Sequence, residues 1–332
     1  MGEFELIRRY FDRPLPAGSR QGVALGIGDD CALIAPAPGM QLAVSSDMLV
    51  SGRHFFADVD PRTLGHKALA VNLSDLAACG ARPLGFTLAL ALPEASPEWL
   101  EGFAQGLFAL ADAHGCALVG GDTTKGPLNL CITVFGEVPA GRALLRSGAQ
   151  AGDEIWVSGT LGDAALALQA LLGRTRLPTE VLAQARQRLE CPTPRVALGL
   201  ALRGIASACA DVSDGLLGDL GHILERSHQG ASVQLEAAML SGAACADYMR
   251  ASDPNDVKVQ RLAQQCVLAG GDDYELVFTA PAAQHAAVLQ AATASQTPVR
   301  RIGRIEAAPG LRLLDAQGAP QALALQSFDH FA

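Results

Sequence analysis

Six short clusters of aspartate beside glycine or serine are spaced along a 332-residue chain whose predicted strands and helices alternate. Aspartate, serine and glycine are the residues that turns prefer, so any single cluster predicts a turn or a helix cap. Several clusters, however, directly follow or precede an apolar strand-like segment, and side chains at strand ends in α/β proteins point into the ligand crevice. The clusters are 26–30 (GIGDD), 45–47 (SSD), 72–75 (NLSD), 120–124 (GGDTT), 211–215 (DVSDG) and 270–275 (GGDDYE).

The alternation of elements predicts a mixed α/β fold in two domains. A polar, Arg- and Gly-rich segment at 141–152 separates two stretches that each alternate predicted strands and helices. It predicts the boundary between domains at 1–145 and 146–332. Ser96 is placed as an N-cap, with Pro97 at the first helical position. The predicted strands are 84–92, 129–138, 154–158, 274–279 and 298–305, and helices begin at 61, 97, 163 and 281.

Asp75 continues the apolar stripe of the predicted helix 61–79, on the face of Leu64, Ala68 and Val71. A carboxylate on a buried face costs several kcal/mol, roughly, unless it is protonated, paired or bound to a metal ion. Few cations are available nearby, and a carboxylate near a helix C-terminus opposes the helix dipole. The position therefore favours a metal ligand, with a structural carboxyl as the alternative.

Aspartates with Ser or Thr hydroxyls form oxygen-only clusters, which suit Mg²⁺ better than Zn²⁺. Convergent carboxylates next to a polyphosphate repel it unless divalent ions lie between them, so the pattern favours phosphoryl transfer. The chain has no Gly-x4-Gly-Lys-Ser/Thr loop, no complete dinucleotide fingerprint, no protein-kinase motif and no Gly-x-Ser-x-Gly elbow.

Composition excludes several classes of protein. The chain carries 25 Lys+Arg against 34 Asp+Glu, a net charge of −9, which argues against binding nucleic acid or an anionic membrane surface. Eight scattered cysteines without a CxxC pair predict free, mostly buried thiols. With no signal segment and no apolar run of membrane-spanning length, we expect a soluble cytoplasmic protein.

Two further side chains are candidates for ligand contacts. His54 follows the 45–47 cluster closely enough to reach an anionic or aromatic substrate, and the alternative is a surface or half-buried histidine. Arg146 lies in the segment between the predicted domains, where it can clamp a phosphate or remain a solvated charge.

In this order, the motifs resemble the thiamine-monophosphate kinases, a family in the superfamily of aminoimidazole ribonucleotide synthetase and selenophosphate synthetase. The resemblance runs from residues 2–4 to 328–331, essentially the whole chain. The strings that carry it are 26–32 (GIGDDCA), 67–78 (KALAVNLSDLAA), 120–124 (GGDTT), 142–149 (RALLRSGA), 211–216 (DVSDGL) and 270–276 (GGDDYEL).

The resemblance implies ATP-dependent phosphorylation of thiamine monophosphate to thiamine diphosphate, the last step of thiamine diphosphate biosynthesis. It implies direct in-line transfer of the γ-phosphoryl group with several Mg²⁺ ions, and no side chain assigned as acid or base. It also implies a homodimer paired through the N-terminal sheets, with a C-terminal α/β domain that completes the active site.

The family's site residues carry over position by position. The resemblance implies Mg²⁺ ligation by Asp30, Ser45, Ser46, Asp47, Asp75, Asp122, Asp211 and Asp214. It implies ATP contacts by Gly121, Asp122, Arg146 and Ser213, and contacts to the thiamine moiety by His54, Asp272 and Phe328.

Three positions depart from the family pattern. Ser46 stands where threonine is common, so a hydroxyl remains. Asp272 stands where glutamate is common and reaches one methylene less far. Phe328 stands where tyrosine or tryptophan is usual, so it keeps the aromatic ring and lacks the phenol hydrogen bond.

Other functions compete with this one. A selenophosphate synthetase carries a reactive cysteine near its N-terminus, and this chain has none before Cys31. A hydrogenase-maturation relative ends in a functional cysteine, whereas this chain ends in Ala332. Two alternatives of a different functional class remain: a catalytically inactive protein that senses metal and nucleotide, and a metal-dependent phosphohydrolase.

Overall fold

The computed structural model describes residues 2–14, 22–253, 256–323 and 325. The chain divides into two compact units, which we term the N-terminal unit (residues 1–76 and 81–143) and the C-terminal unit (77–80 and 144–332). The mixed α/β fold expected from the sequence is confirmed. No helix in these described ranges is long and apolar enough to span a membrane.

The N-terminal unit is built on a four-stranded sheet with strand order β3-β6-β4-β5. β4 and β5 are parallel and joined through α3, while β6 pairs antiparallel with both β3 and β4. The elements are α1 (Glu3–Tyr10), β1 (Val23–Leu25), β2 (Leu33–Ile34), β3 (Met40–Val50), α2 (Pro61–Cys79), β4 (Arg82–Leu92), α3 (Pro97–Ala113), β5 (Ala117–Lys125) and β6 (Asn129–Pro139).

Helices α2 and α3 of this unit cross with their backbones in close contact. A Cβ at Gly65 would lie 2.1 Å from the carbonyl oxygen of Phe103, and one at Gly106 would lie 1.8 Å from that of Arg62. The predicted cap of α3 is also confirmed, because the Ser96 hydroxyl accepts the backbone N–H of Trp99. The crossing packs α2, the helix that carries Asp75, firmly against its neighbour.

The C-terminal unit contains a seven-stranded sheet with strand order β13-β12-β9-β11-β7-β10-β8. All neighbours are antiparallel except β9 and β12. The elements are β7 (Glu154–Ser158), α4 (Asp163–Leu171), α5 (Thr179–Glu190), α6 (Val196–Ala201), β8 (Ala208–Val212), α7 (Leu216–Ser227), β9 (Gly230–Gln234), α8 (Leu235–Ala238), α9 (Ala243–Ala251), α10 (Val257–Ala269), β10 (Glu275–Ala280), α11 (His285–Ala294), β11 (Val299–Glu306), β12 (Gly310–Leu314) and β13 (Pro320–Gln321).

Every residue of β7, β10 and β8, the three neighbouring strands at one end of this sheet, is buried, so this part of the sheet is covered on both faces. The core includes Trp156 stacked on Phe278 across neighbouring strands, with ring centroids 6.5 Å apart. All eight cysteines are free thiols, as expected; four are buried, three are half-buried and Cys31 is exposed. These three covered strands support the turns at their ends.

Candidate active site

The cluster at 45–47 lies inside β3, which differs from the strand-end position that the sequence suggested. The eleven-residue ladder between β3 and β6 continues through the cluster, so its side chains alternate between the two faces of the sheet. The Ser45 hydroxyl donates to Asp75 Oδ2 at 2.5 Å, and the Asp47 N–H donates to Asn72 Oδ1 at 3.2 Å. These two hydrogen bonds connect α2 to the edge strand β3 and bring Asp75 to the strand.

Asp75 is half-buried, which corrects the expectation of a carboxylate on a fully buried face. It lies in the last part of α2, where residues on either side are buried, yet its carboxylate accepts the Ser45 hydroxyl at the strand edge. The partly open position lets Asp75 reach both a protein partner and a ligand. A hydroxyl and two carboxylates from Ser45, Asp47 and Asp75 are hard oxygen donors of the kind Mg²⁺ prefers.

Ser46 and Asp122 belong to the opposite, open face of the same sheet. The Ser46 hydroxyl lies 3.0 Å from that of Thr133, its partner on β6. Asp122 is exposed in the middle of β5 and is paired with Ala89 of β4. Beside it, Gly121 has a φ of +148°, and a Cβ there would lie 1.9 Å from the carbonyl oxygen of Leu88. Only glycine fits this position.

Asp30 and His54 lie in loops of the N-terminal unit. Asp30 is exposed, and its N–H donates to Asp29 Oδ1 at 2.9 Å, which closes a tight turn. His54 Nδ1 accepts the Val50 N–H at 3.0 Å, so the ring is fixed to the end of β3. In the neutral ring this bond leaves the proton on Nε2, which points a donor away from the strand.

In the C-terminal unit, the 211–215 and 270–275 clusters form two adjoining turns. Asp211 is buried on β8, and the half-buried Ser213 and Asp214 follow the end of that strand. The Asp272 N–H donates to the Ser213 carbonyl at 2.9 Å, and the Tyr274 N–H donates to that of Val212 at 2.9 Å. The structure therefore brings Ser213, Asp214 and Asp272 together.

The second of these turns has a strained backbone. Asp272 and Tyr274 have φ values of +68° and +52°, in the left-handed region that favours glycine. The Tyr274 hydroxyl lies 3.4 Å from Asp272 Oδ1. Such conformations persist where surrounding structure enforces them, and they cluster at functional sites.

Buried carboxylates next to the turns supply that enforcement, and the sequence reasoning missed them as functional residues. Asp273 accepts the Gly162 N–H with both oxygens at 3.0 Å, and burial raises the pKa of Asp273. Glu275 is fully buried and paired with Arg188 at 3.0 Å and Arg195 at 2.5 Å. The available signal was their alternation with Asp272 in the GGDDYE string.

Asp219 anchors the first turn in a similar way. Its Oδ2 accepts the N–H groups of Asp214 and Gly215, both at 3.1 Å. Burial, together with the charge of Asp214, raises the pKa of Asp219 to about 7, against the lowering effect of its two hydrogen bonds and of Arg146. The signal for this residue was its helical spacing of four after Gly215.

Arg146 lines an open cleft of about 500 Å³ in the C-terminal unit. The Ser227 hydroxyl donates to the Arg146 carbonyl and accepts the N–H groups of Gly148 and Ala149, which fixes the loop that carries the arginine. An anchored guanidinium in an open cleft is a suitable phosphate contact. The cleft is lined by Leu145, Arg146, Ser147, His222, Glu225 and Arg226.

The predicted metal ligands fall into two sets: six in the N-terminal unit and Asp211 with Asp214 in the C-terminal unit. Within the described part of the chain, no three His, Cys or acidic side chains group closely enough to hold a metal ion by themselves. Mg²⁺ needs no such cage, since it is bound through one or two carboxylates and otherwise by waters and phosphates. The donor chemistry therefore fits Mg²⁺. Phe328 lies outside the described residues.

Comparison with known proteins assigns both halves of the chain. Residues 28–138 match the AIR synthase related protein N-terminal domain, and residues 150–316 match the corresponding C-terminal domain. The chain is 47% identical to the thiamine-monophosphate kinase of Salmonella typhimurium over 100% of its own length and 98% of that protein. It is 44% identical to that of Escherichia coli K12 over the same shares.

Solved structures agree. A thiamine-monophosphate kinase from Stenotrophomonas maltophilia K279a superposes with a TM-score of 0.80 at 49% identity, covering 91% of this chain and 93% of that one. AaThiL in complex with AMPPCP and TMP superposes with a TM-score of 0.75 at 26% identity, covering 99% and 96%. The resemblance seen in the motifs is thus confirmed, and the chain belongs to the thiamine-monophosphate kinase family.

Proposed function

We propose that this chain transfers the γ-phosphoryl group of ATP directly, in line, to thiamine monophosphate in a Mg²⁺-dependent reaction that yields thiamine diphosphate and ADP. The observation that carries the proposal is the 47% identity with a thiamine-monophosphate kinase across the whole chain, which includes every motif described above. The AaThiL complex supports it, because a relative of the same fold over 99% of this chain binds AMPPCP and TMP.

Under this proposal, the cation ligands are oxygen groups that already lie at ordered positions. Ser45 contacts Asp75 where β3 meets α2, the Asp47 backbone is bonded to Asn72 of the same helix, and Asp214 is held at the end of β8. The remaining proposed ligands are Asp30, Ser46, Asp122 and Asp211. Bound Mg²⁺ neutralises phosphate charge and orients the phosphates.

The chain's own residues then bind and position the two substrates. The Arg146 guanidinium offers several planar donors to phosphate oxygens, and Gly121 lets a phosphate approach the backbone without a side chain. Ser213 offers a hydroxyl to ATP. His54 presents Nε2–H, and Asp272 presents a carboxylate, to the thiamine moiety, together with Phe328. We assign no acid or base, since an acceptor phosphate ionised at neutral pH needs none.

A homodimer paired through the N-terminal sheet is part of the proposal. The open face of β3 exposes four large apolar side chains, with Val44 and Met48 each 56% exposed. A sheet face of this kind is unusual for a surface in water and suits a second copy of itself. The four residues are Leu42, Val44, Met48 and Val50.

A matched pair of variants tests the dimer. Val44→Asp places a charge on the open sheet face. Leu289→Asp makes the same kind of change, from an exposed apolar side chain to a charge, on helix α11, where Leu289 is 45% exposed. Light scattering after gel filtration is expected to give twice the chain mass for wild type and Leu289→Asp, and the chain mass for Val44→Asp. A monomeric wild type contradicts the dimer.

The reaction itself is tested with purified protein, ATP, Mg²⁺ and thiamine monophosphate, with the products separated by chromatography. We expect equal amounts of thiamine diphosphate and ADP, and no product in excess EDTA. ATP hydrolysis without thiamine diphosphate would indicate a phosphohydrolase or another acceptor. Nucleotide binding without any turnover would indicate a sensor.

In-line transfer has its own experiment. With ATP made chiral at the γ-phosphorus by oxygen isotopes, one direct transfer inverts the configuration, whereas a phosphoenzyme intermediate gives overall retention. Inversion in the thiamine diphosphate product is expected. Retention would contradict the direct step and leave the overall reaction standing.

A further inference from the structure

The turn that carries Ser213 and Asp214 is held by a side chain from the following helix. Asp219, 3% exposed in the first part of α7, accepts the N–H groups of both Asp214 and Gly215 with a single oxygen. These two N–H groups belong to the peptide units on either side of the Asp214 Cα. Fixing both units fixes the direction in which the Asp214 side chain leaves the backbone.

The turn has no cap of its own. The N-cap position of α7 is Gly215, whose φ is +120°, and a Cβ there would lie 2.6 Å from the carbonyl carbon of Ala269. A Ser, Thr, Asn or Asp cap, which helices ordinarily use, is therefore excluded by space and by backbone conformation. Asp219 instead reaches back from the first part of α7 to the N–H groups of Asp214 and of the N-cap Gly215, as the acidic residue of a capping box does.

The opposite side of the same turn is also occupied. The Ser213 carbonyl accepts the Asp272 N–H at 2.9 Å, and a Cβ at Gly271 would lie 2.4 Å from that carbonyl oxygen. The backbone of Ser213 and Asp214 is therefore held from two sides, by the Asp219 carboxylate and by the 270–274 turn. A change at Asp219 is transmitted to Asp214 directly and to Asp272 through Ser213.

We propose that Asp219 is a positioning residue for the phosphoryl transfer, which holds Asp214 for the cation and Ser213 for the nucleotide. The inference rests on the proposed function, since that function gives Asp214 and Ser213 their ligands. It assigns Asp219 no contact with substrate. A carboxylate that merely caps α7 would stabilise the helix and leave cation and nucleotide binding unchanged.

The test compares Asp219→Ala and Asp219→Asn with a control, Asp153→Asn. Asp153 is likewise a buried carboxylate, accepting the Gln150 N–H at 3.0 Å and the Ser207 hydroxyl at 2.5 Å, but Ser207 precedes β8 at the end remote from Asp211. For each protein, kcat, the KM values for ATP and thiamine monophosphate, the Mg²⁺ concentration for half-maximal rate and the melting temperature are measured.

We expect Asp219→Ala to lower kcat by roughly 10- to 100-fold and to raise the Mg²⁺ requirement several-fold, the range typical of lost partners behind metal ligands. Asp219→Asn should have a smaller effect on kcat and on the Mg²⁺ requirement, because its side-chain oxygen still accepts the two N–H groups. Asp153→Asn should lower the melting temperature and keep kcat and the Mg²⁺ requirement within about twofold of wild type. The proposal is overturned if Asp219→Ala behaves like the control.

A binding measurement separates this inference from the proposed function. Calorimetric titration of AMPPCP, with and without Mg²⁺, needs no turnover and no thiamine substrate. Weaker Mg²⁺-dependent binding in Asp219→Ala than in Asp153→Asn supports the positioning role even if wild type fails to make thiamine diphosphate. Equal binding in the two variants refutes it, and Asp219→Leu, which also lacks an acceptor oxygen, takes the place of Asp219→Ala if that variant does not fold.

Discussion

The N-terminal unit presents its candidate side chains from regular elements: Ser45 and Asp47 stand on β3, Asp75 on α2 and Asp122 on β5. The C-terminal unit presents Ser213, Asp214 and Asp272 from turns, each gripped by buried carboxylates. Regular elements orient side chains through their own hydrogen bonds, whereas a turn depends on buried side chains that bind its backbone, which we term anchors. Activity should therefore be sensitive in the first unit to substitution of the candidate site residues themselves. In the second unit it should also be sensitive to substitution of the anchors, which touch no ligand.

The largest expected effect comes from Asp75, a presented group. We expect Asp75→Asn to lower kcat on the order of 10²- to 10³-fold, because the variant loses the charge that we propose binds the cation. The melting temperature should change little or rise, since α2 needs no carboxylate there. Kinetics and thermal unfolding are compared with Asp112→Asn, an exposed carboxylate paired with Arg13 in the same unit. Full retained activity would remove Asp75 from the ligand set.

A smaller effect, on stability, is expected from the anchors of the C-terminal unit. Arg195→Met leaves the fully buried Glu275 with one arginine partner where it had two, and should lower the free energy of unfolding by about 3 kcal/mol. Arg186→Met is the control, because its partner Glu190 lies one turn away on the same helix and is only half-buried. Chemical denaturation measures both. Equal losses would show that the buried anchor has no special role.

The smallest effect is a difference in pH dependence between the units. Burial raises the pKa of Glu137, but hydrogen bonds from the Ala37 N–H and the Arg82 guanidinium outweigh it and hold that pKa below 4.5. In the C-terminal unit, burial raises the pKa of Asp163 above 3.8, against hydrogen bonds from Cys245 and Ala244.

The two shifts have opposite signs for stability. The stabilisation from Glu137 is present above its unfolded pKa and is lost as the pH falls through its lower folded pKa. That from Asp163 is complete below its unfolded pKa and is lost as the pH rises through its higher folded pKa. Glu137→Gln should therefore cost about 1 kcal/mol at pH 7 and less in acid, whereas Asp163→Asn should cost more in acid. Denaturant unfolding at pH 7 and pH 4 measures both, and parallel trends would contradict the assignment.

The local signals in the sequence predicted the elements well. Ser96 with Pro97 marked the start of α3, and the apolar runs marked β4, β6, β7 and β11. These features depend on neighbours in sequence. The position of the 45–47 cluster within β3 could not be predicted, because the ladder that extends the strand is made with β6, where the partner of Ser46 lies 87 residues away.

The anchors were missed for the same reason. Glu275 has its arginine partners 80 and 87 residues earlier in the chain, and nothing in the local pattern marks the pairing. Asp75 was placed on the correct helix, but its half-open position depends on where β3 ends up beside α2. Residue types thus indicated the chemistry, while long-range packing determined which carboxylates stay accessible and which are buried and support the backbone.

The unbroken β3–β6 ladder also limits how the chain can change in length. Adjacent Ser45 and Ser46 serve opposite faces of the sheet, one toward Asp75 and the other toward Thr133. Inserting one residue upstream within β3 would exchange the faces, turning the apolar side chains of the open face toward α2 and placing Val44 where Ser45 contacts Asp75. A change in length within residues 40–50 therefore alters every side chain that follows it on the strand, so engineered loops or tags belong outside this range.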